Sequence, residues 1–186
     1  ESWYVLDAQP GAGLYLGFSQ AVSKDELRHA FESAADPQNS SRAKALMQFV
    51  PVKPGDYFEI QPGVPHAIGG GVTLLEPQRI MPGKSGKTYR FWDWGRVYFP
   101  DGRQGKPGEP GASPRELHLE EGLKLVAPDR QVGLQFVETL RRQPRQFAAG
   151  KSLKVAQFPA NAWYQLTELK FETESASCEI VTSDYG

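Results

Sequence analysis

Val52-Lys53-Pro54-Gly55-Asp56-Tyr57-Phe58-Glu59-Ile60-Gln61-Pro62-Gly63-Val64-Pro65-His66-Ala67-Ile68-Gly69-Gly70-Gly71-Val72-Thr73-Leu74-Leu75 reads as short strands cut by turns. Pro54-Gly55 and Pro62-Gly63 bracket the first strand, because proline presets the turn backbone and glycine supplies the positive φ that other residues resist. A second strand starts near His66, and the chain returns through Gly69-Gly70-Gly71 into the apolar run Val72-Thr73-Leu74-Leu75. Strands this short and this often interrupted predict a mainly β fold with the punctuation of a barrel.

Upstream, residues 2–6 (Ser-Trp-Tyr-Val-Leu) and 14–18 (Leu-Tyr-Leu-Gly-Phe) are β-rich runs around Pro10-Gly11-Ala12-Gly13, the composition of a hairpin-like turn. Ser23-Lys24-Asp25-Glu26 is a capping box, followed by Leu27, Ala30, Phe31 and Ala34 at the spacing of an apolar helix stripe that stops near Asp36-Pro37. Downstream, 88–94 is a further strand candidate, and the Gly/Pro-rich stretch 100–112 is a loop. Ser113-Pro114-Arg115-Glu116 opens a second helix, with Leu119, Leu123 and Val126 on one face and an end before Pro128. Residues 131–186 alternate β-rich stretches, such as 153–158 and 163–171, with polar turns. This reading divides the chain into a first domain, 1–130, with a helical insertion near 113–127, and a partial second β module, 131–186.

The 186 residues are 39% hydrophobic and 23% charged, which excludes disorder and a coiled coil. Gly and Pro make up about 18% of the chain, against about 12% in average usage, and argue against a helical bundle. A net charge of −1 gives no general affinity for nucleic acid, and no run approaches the apolar length of a membrane span. No obligate protein partner is implied, and a small molecule is the expected ligand. Cys178 is alone, so no intramolecular disulfide forms, and its neighbours Ser177 and Glu179 give no reason for a reactive thiolate. With no basic start and apolar core of a secretory leader, a reducing cytoplasm is the expected compartment.

Three features bear on chemistry. His66 begins a strand just after a tight turn, where it either ligates a divalent metal through one ring nitrogen or packs as a structural histidine. Glu76 follows the run 72–75 and is either a ligand or general base beside such a site, or a solvated strand-end carboxylate. Between Arg79 and Lys106 lie seven basic residues against two acidic ones, in a chain whose total is −1, which suits a phosphorylated substrate. Lys84, Lys87, Arg103 and Lys106 read as solvated. Arg90 and Arg96 differ, being interleaved with Phe91, Trp92 and Trp94. His29 and His118 read as structural or surface residues.

Trp3-Tyr4-Val5-Leu6, Pro10 to Phe18, Val52-Lys53-Pro54-Gly55-Asp56, Pro62 to Gly69 and Thr88-Tyr89-Arg90-Phe91-Trp92-Asp93-Trp94-Gly95-Arg96, in this order, resemble the type I mannose-6-phosphate isomerases over roughly residues 1–125. The resemblance implies a cupin fold, a β-barrel of the jelly-roll kind, and zinc-dependent interconversion of mannose 6-phosphate and fructose 6-phosphate through an enediol. It implies Glu1 and His66 as metal ligands, Arg90 as the catalytic arginine, Glu76 in proton transfer, and Arg96 for the substrate phosphate. The family's Gln-x-His pair has no counterpart among these residues. A catalytic zinc takes three protein ligands plus water, so the chain is at least one ligand short, and other divalent ions could replace zinc. A free α-amino group beside the metal would oppose it, and the chain is expected to be a fragment. The alternative reading is a non-catalytic cupin that binds a sugar or sugar phosphate. A third is a structural barrel with a merely buried His66.

Overall fold

The computed structural model describes residues 1–34, 39–80, 83, 88–148 and 152–173. The helix end expected at Asp36-Pro37, the basic residues Lys84 and Lys87, and Cys178 lie outside them. In chain order the elements are β1 (Ser2–Ala8), β2 (Gly13–Phe18), α1 (Lys24–Ser33), α2 (Ser40–Leu46), β3 (Met47–Pro51), β4 (Tyr57–Glu59), β5 (His66–Ile68), β6 (Val72–Leu75), β7 (Val97–Tyr98) and β8 (Gln104–Gly105). Then follow α3 (Leu119–Leu125), α4 (Gly133–Leu140), β9 (Arg145–Ala148), β10 (Leu153–Gln157) and β11 (Thr167–Phe171). The fold is mainly β, as the turn-rich sequence requires.

β1 and β2 form where expected, but the turn between them is a corner and not a hairpin. β1 pairs with β4 and β6, whereas β2 pairs with β3 and β5, so the chain changes sheets at Gln9 to Ala12. The same holds for β5 and β6, consecutive in sequence and members of different sheets. Among the described residues these ladders remain separate three-stranded sheets and do not close into the expected barrel. Trp3 and Phe58 of one sheet and Leu14, Leu16 and Val50 of the other share one core with Val64, Val137 and Leu140. A second core gathers Phe18, Leu27, Phe31, Leu46, Leu123 and Val126 from β2 and the helices. α1 starts as its capping box dictates, with the Glu26 N–H donating to Ser23 Oγ at 3.1 Å.

Two expectations fail for identifiable reasons. Residues 88–94 do not form a strand, and the second helix begins at Leu119 and not near 113. Asp93 is buried and accepts from Nε and Nη2 of Arg115, each at 2.7 Å, which pins 93 and 115 to each other in place of a helical turn. Ser113 exchanges backbone hydrogen bonds with Tyr98, at 2.8 and 3.0 Å, so the chain there is sheet-like. Trp94 and Gly95 have φ of 58° and 67°, and the Arg96 N–H donates to the Asp93 carbonyl at 2.9 Å, the pattern of a tight turn with a mirror-image backbone. A tryptophan in that conformation costs about 1–3 kcal/mol and persists only where neighbours hold it.

The chain divides into two compact units, Glu1–Arg141 and Arg142–Gly186, later than the expected boundary at 130/131. The reason is α4, which the sequence reading did not foresee: its Val137 and Leu140 belong to the first unit's core, and the Arg141 guanidinium reaches Asp56 at 2.8 Å over the Phe58 ring. The second unit carries the antiparallel sheet β9-β10-β11. The strand expected over 163–171 is shortened to β11 because Asn161 Oδ1 accepts from the backbone of Trp163 and Tyr164 and makes a turn there.

Gly69 follows β5 and donates to the Gly13 carbonyl at 3.0 Å. A Cβ on Gly69 would lie 2.2 Å from that same carbonyl oxygen, whereas one on Gly70 would meet nothing within 4 Å. Gly69→Ala is expected to destabilise the protein by about 1–3 kcal/mol, and Gly70→Ala by less than about 0.5 kcal/mol, as read by urea unfolding.

Candidate functional site

The start of β1 and the start of β5 bring Glu1 and His66 together, with Glu1 Oε1 2.8 Å from His66 Nε2. The other ring nitrogen, Nδ1, stands 2.7 Å from the Val64 carbonyl, which can only accept, so Nδ1 carries a proton and Nε2 is turned to the carboxylate. Gln78 donates its amide to Glu1 Oε2 at 3.0 Å and fixes the carboxylate from the other side. Trp3 stands edge-on to the His66 ring with centroids 5.2 Å apart. Backbone bonds between Glu1 and Ile60 continue the β1 and β4 ladder to this point.

Among the described residues, the buried side-chain atoms left without a hydrogen bond are Glu1 Oε1 and Trp3 Nε1. Both belong to side chains in contact with His66. Glu1 Oε1 is within ion-pair distance of His66 Nε2, but the pair lacks the alignment of a hydrogen bond, so proximity there is not full satisfaction. A buried oxygen with an unused lone pair, facing a ring nitrogen whose partner nitrogen is already committed, suits a divalent cation. Among the described residues no group of three His, Cys, Asp or Glu side chains converges as a metal site, so the chain shows two donors of the three that a catalytic zinc takes.

Glu76, just after β6, stands near enough to bear on the protonation of both Glu1 and His66. Burial pushes Glu1 upward, but the His66 contact and charge outweigh it and hold the carboxyl below its ordinary value. Burial likewise pushes His66 downward, but the adjacent Glu1 carboxylate, then the Val64 carbonyl and Glu76, leave the imidazole above its ordinary value.

Arg90 and Arg96 stand elsewhere. The Arg90 guanidinium donates to the Glu116 carbonyl at 3.0 Å, and its backbone exchanges hydrogen bonds with His118, through Nδ1 at 3.2 Å and the backbone N–H at 2.8 Å. His118 is thus a brace for Arg90, in line with its structural reading. Arg96 is exposed and lines a cleft with Tyr15, Phe49, Lys44 and Trp94. Leu16 is in register with His66, and Tyr15 with Ala67, so Tyr15 and His66 point to opposite faces of their sheet. Glu1, His66 and Glu76 are brought together, while Arg96 sits with the residues of the other face. Sequence reasoning missed Gln78, Trp3 and the Val64 carbonyl. The available signal was the amide two positions after Glu76.

In metal-free protein the titration has a definite sign. His66, raised, contributes stability that is complete below its ordinary value of 6.5 and is lost as pH rises through its folded value. Glu1, lowered, contributes stability that is complete above its ordinary value of 4.5 and is lost as pH falls through its folded value. The pair therefore stabilises most between 4.5 and 6.5. An NMR titration of the His66 ring is expected to show a midpoint above 6.5 that falls in Glu1→Gln. An unmoved midpoint would mean that the carboxylate does not hold the proton.

No family model matches the chain. Curated relatives do: the mannose-6-phosphate isomerase ManA of Bacillus subtilis (strain 168) is 33% identical over 126 residues, and the mannose-6-phosphate isomerase of Streptococcus mutans serotype c is 35% identical over 126 residues. Each match takes in 68% of this chain and 33% of the relative, so the chain spans about one third of the length of the curated relatives it matches. Among solved structures, the crystal structure of the mannose 6-phosphate isomerase from Bacillus subtilis superposes with a TM-score of 0.61 at 22% identity, covering 91% of this chain and 44% of that one. That likeness places the fold in the β-rich cupin class. By sequence over 126 residues and by fold over most of its length, the chain resembles the mannose-6-phosphate isomerases, as its ordered motifs imply.

Proposed function

We propose that the chain carries part of the active site of a metal-dependent aldose-ketose isomerase that interconverts mannose 6-phosphate and fructose 6-phosphate. The observation that supports this best is the buried, unsatisfied Glu1 Oε1 facing His66 Nε2 at 2.8 Å, with Nδ1 already committed to Val64. Glu1 and His66 would hold a divalent ion, zinc by the chemistry of the donors, as two of its ligands. When bound, such an ion supplies Lewis acidity at a sugar oxygen. Gln78 orients the carboxylate, and the Val64 carbonyl keeps the His66 proton on Nδ1 and off the nitrogen used for binding.

Glu76 is the carboxylate for proton transfer between C1 and C2, leaving an enediol between the aldose and the ketose. Arg90, braced by Glu116 and His118, is the cation for the oxyanion that develops on the sugar. Arg96 offers a guanidinium to the phosphate. The partner is a phosphorylated hexose, without nucleic acid or membrane, and the compartment a reducing cytoplasm. No helix among the described residues is long and apolar enough to cross a membrane. A second reading, a cupin that binds a sugar phosphate without turning it over, draws on the missing third ligand among the described residues.

Isomerisation of mannose 6-phosphate, with and without chelator and zinc readdition, separates the two. Turnover lost to chelator and restored by zinc is expected. His66→Ala is expected to abolish it, and Arg90→Ala to lower kcat about 10²–10³-fold with the fold intact by circular dichroism. Unchanged turnover in Arg90→Ala would overturn the role given to Arg90. No turnover in folded, metal-loaded protein would favour the binding module.

A further inference from the structure

Arg90, Phe91 and Trp92 are held one by one against α1 and α3. Trp92 donates its indole N–H to the Ala34 carbonyl, just past α1, at 3.2 Å. Phe91 stacks on Phe31 of α1, with centroids 5.5 Å apart and planes 17° from parallel, and its edge reaches Gly122 of α3, where a Cβ would stand 2.3 Å from the ring. Glycine inside a helix weakens it, so this residue answers to the ring and not to the helix. His118 occupies the N-cap position of α3, where a side chain commonly accepts from its own helix. Here it makes no such bond and instead accepts the Arg90 N–H on Nδ1 at 3.2 Å, while its own N–H donates to the Arg90 carbonyl at 2.8 Å. His118 and Gly122 lie one turn apart and are joined by the Gly122 N–H, which donates to the His118 carbonyl at 3.0 Å. Arg28 of α1 ties the two helices together at the surface, donating to Asp25 at 2.6 Å and to Glu120 at 2.7 Å.

We propose that Gly122 is a positioning residue for Arg90. Without a Cβ it lets α3 close on Phe91, and that approach sets where His118 and Glu116 hold the Arg90 backbone and guanidinium. A methyl group at 122 must displace either the Phe91 ring, which Phe31 backs, or α3, whose Leu123 and Val126 are packed in the second core. Both shifts reach Arg90, the first through the adjacent peptide and the second through His118. A cation that stabilises a developing oxyanion must be placed to within a fraction of an ångström, so its displacement lowers kcat and leaves KM in place. The catalytic consequence rests on the role proposed for Arg90, whereas the contact of Gly122 with Phe91 is independent of it.

The test compares the zinc-loaded full chain with Gly122→Ala, Phe91→Leu and the double variant, each shown to be folded by circular dichroism. Turnover of mannose 6-phosphate gives kcat and KM, and ¹⁵N NMR follows the backbone and guanidinium N–H signals of Arg90. Gly122→Ala is expected to lower kcat about tenfold, to leave KM within about twofold, and to shift the Arg90 signals. Once Phe91→Leu is present, which removes the far atoms of the ring, Gly122→Ala is expected to cost less than about twofold and to move the Arg90 signals little. Equal losses in both backgrounds, an unchanged kcat, or unmoved Arg90 signals in Gly122→Ala would overturn the proposal. Where Gly122→Ala alone does not fold, Phe91→Leu carries the test: kcat lowered about threefold at constant KM is expected, and unchanged kcat overturns it. In a chain without turnover the NMR comparison decides alone, by the same criterion. Unchanged turnover in Arg90→Ala would remove the role of Arg90 and leave the NMR result standing.

Discussion

Every residue of β2, from Gly13 to Phe18, is buried, and the rest of the first unit is arranged to meet that requirement. A half-buried strand alternates apolar and polar residues, whereas a strand covered on both faces must be apolar throughout. Leu14 and Leu16 face the core that contains Trp3 and Phe58, while Tyr15 faces Phe49 and Trp94. Its flanks are equally committed, to β3 on one side and β5 on the other. Gly13 can sit in this strand because a Cβ there would meet the Val50 carbonyl at 2.4 Å and the Phe49 ring at 2.6 Å. The close approach of the three strands is therefore a property of glycine, and it carries His66 to the edge of the core.

At that edge the electrostatics are set by what burial denies. A carboxylate and an imidazole away from water need partners, and leaving one unmatched costs more than a made hydrogen bond contributes. Gln78 satisfies one oxygen of Glu1, and Val64 satisfies one nitrogen of His66. What remains, Oε1 and Nε2, is turned inward and left to one another. A site built only for stability would satisfy these atoms in line. It is on this oriented but incomplete pair that the proposed divalent-cation site rests.

The local rules were legible and the long-range ones were not. The capping box at Ser23 and the Pro-Gly turns before Tyr57 and His66 act through neighbouring backbone, so a few residues determine them. The motif around His66 pointed to the right strand start for the same reason. Strand pairing across sheets is non-local: nothing near Pro10 to Gly13 distinguishes a hairpin from a corner, and only the burial of both faces of β2 forces the corner. The stretch 88–94 looks like a strand because aromatic residues favour strands, but the buried Asp93 is matched by Arg115, distant in sequence, and that pair turns the chain at Trp94. Arg90 and Arg96 appeared equivalent for the same reason. Their separation follows from the turn between them, which a spacing argument cannot show.

The same logic explains why the first unit runs past 130. The turn Pro62-Gly63, which launches His66, is held by Gln131, whose amide donates to the Gly63 carbonyl at 2.9 Å while its oxygen accepts from the Ala127 N–H at 3.0 Å. The Gln131 carbonyl in turn accepts from the Phe18 N–H at the end of β2, at 2.8 Å. One side chain and its own backbone thus join the turn before β5 to the last residue of β2. Gly17 and Gly63 both have positive φ, and both stand so close to this segment that a Cβ would meet the carbonyl of Gln131 or of Leu125 below 3 Å. α4 then closes the core behind it with Val137 and Leu140. The residues that aim His66 are consequently spread from Glu1 to Leu140. A domain ended at 130 would keep the histidine and lose the contacts that position it.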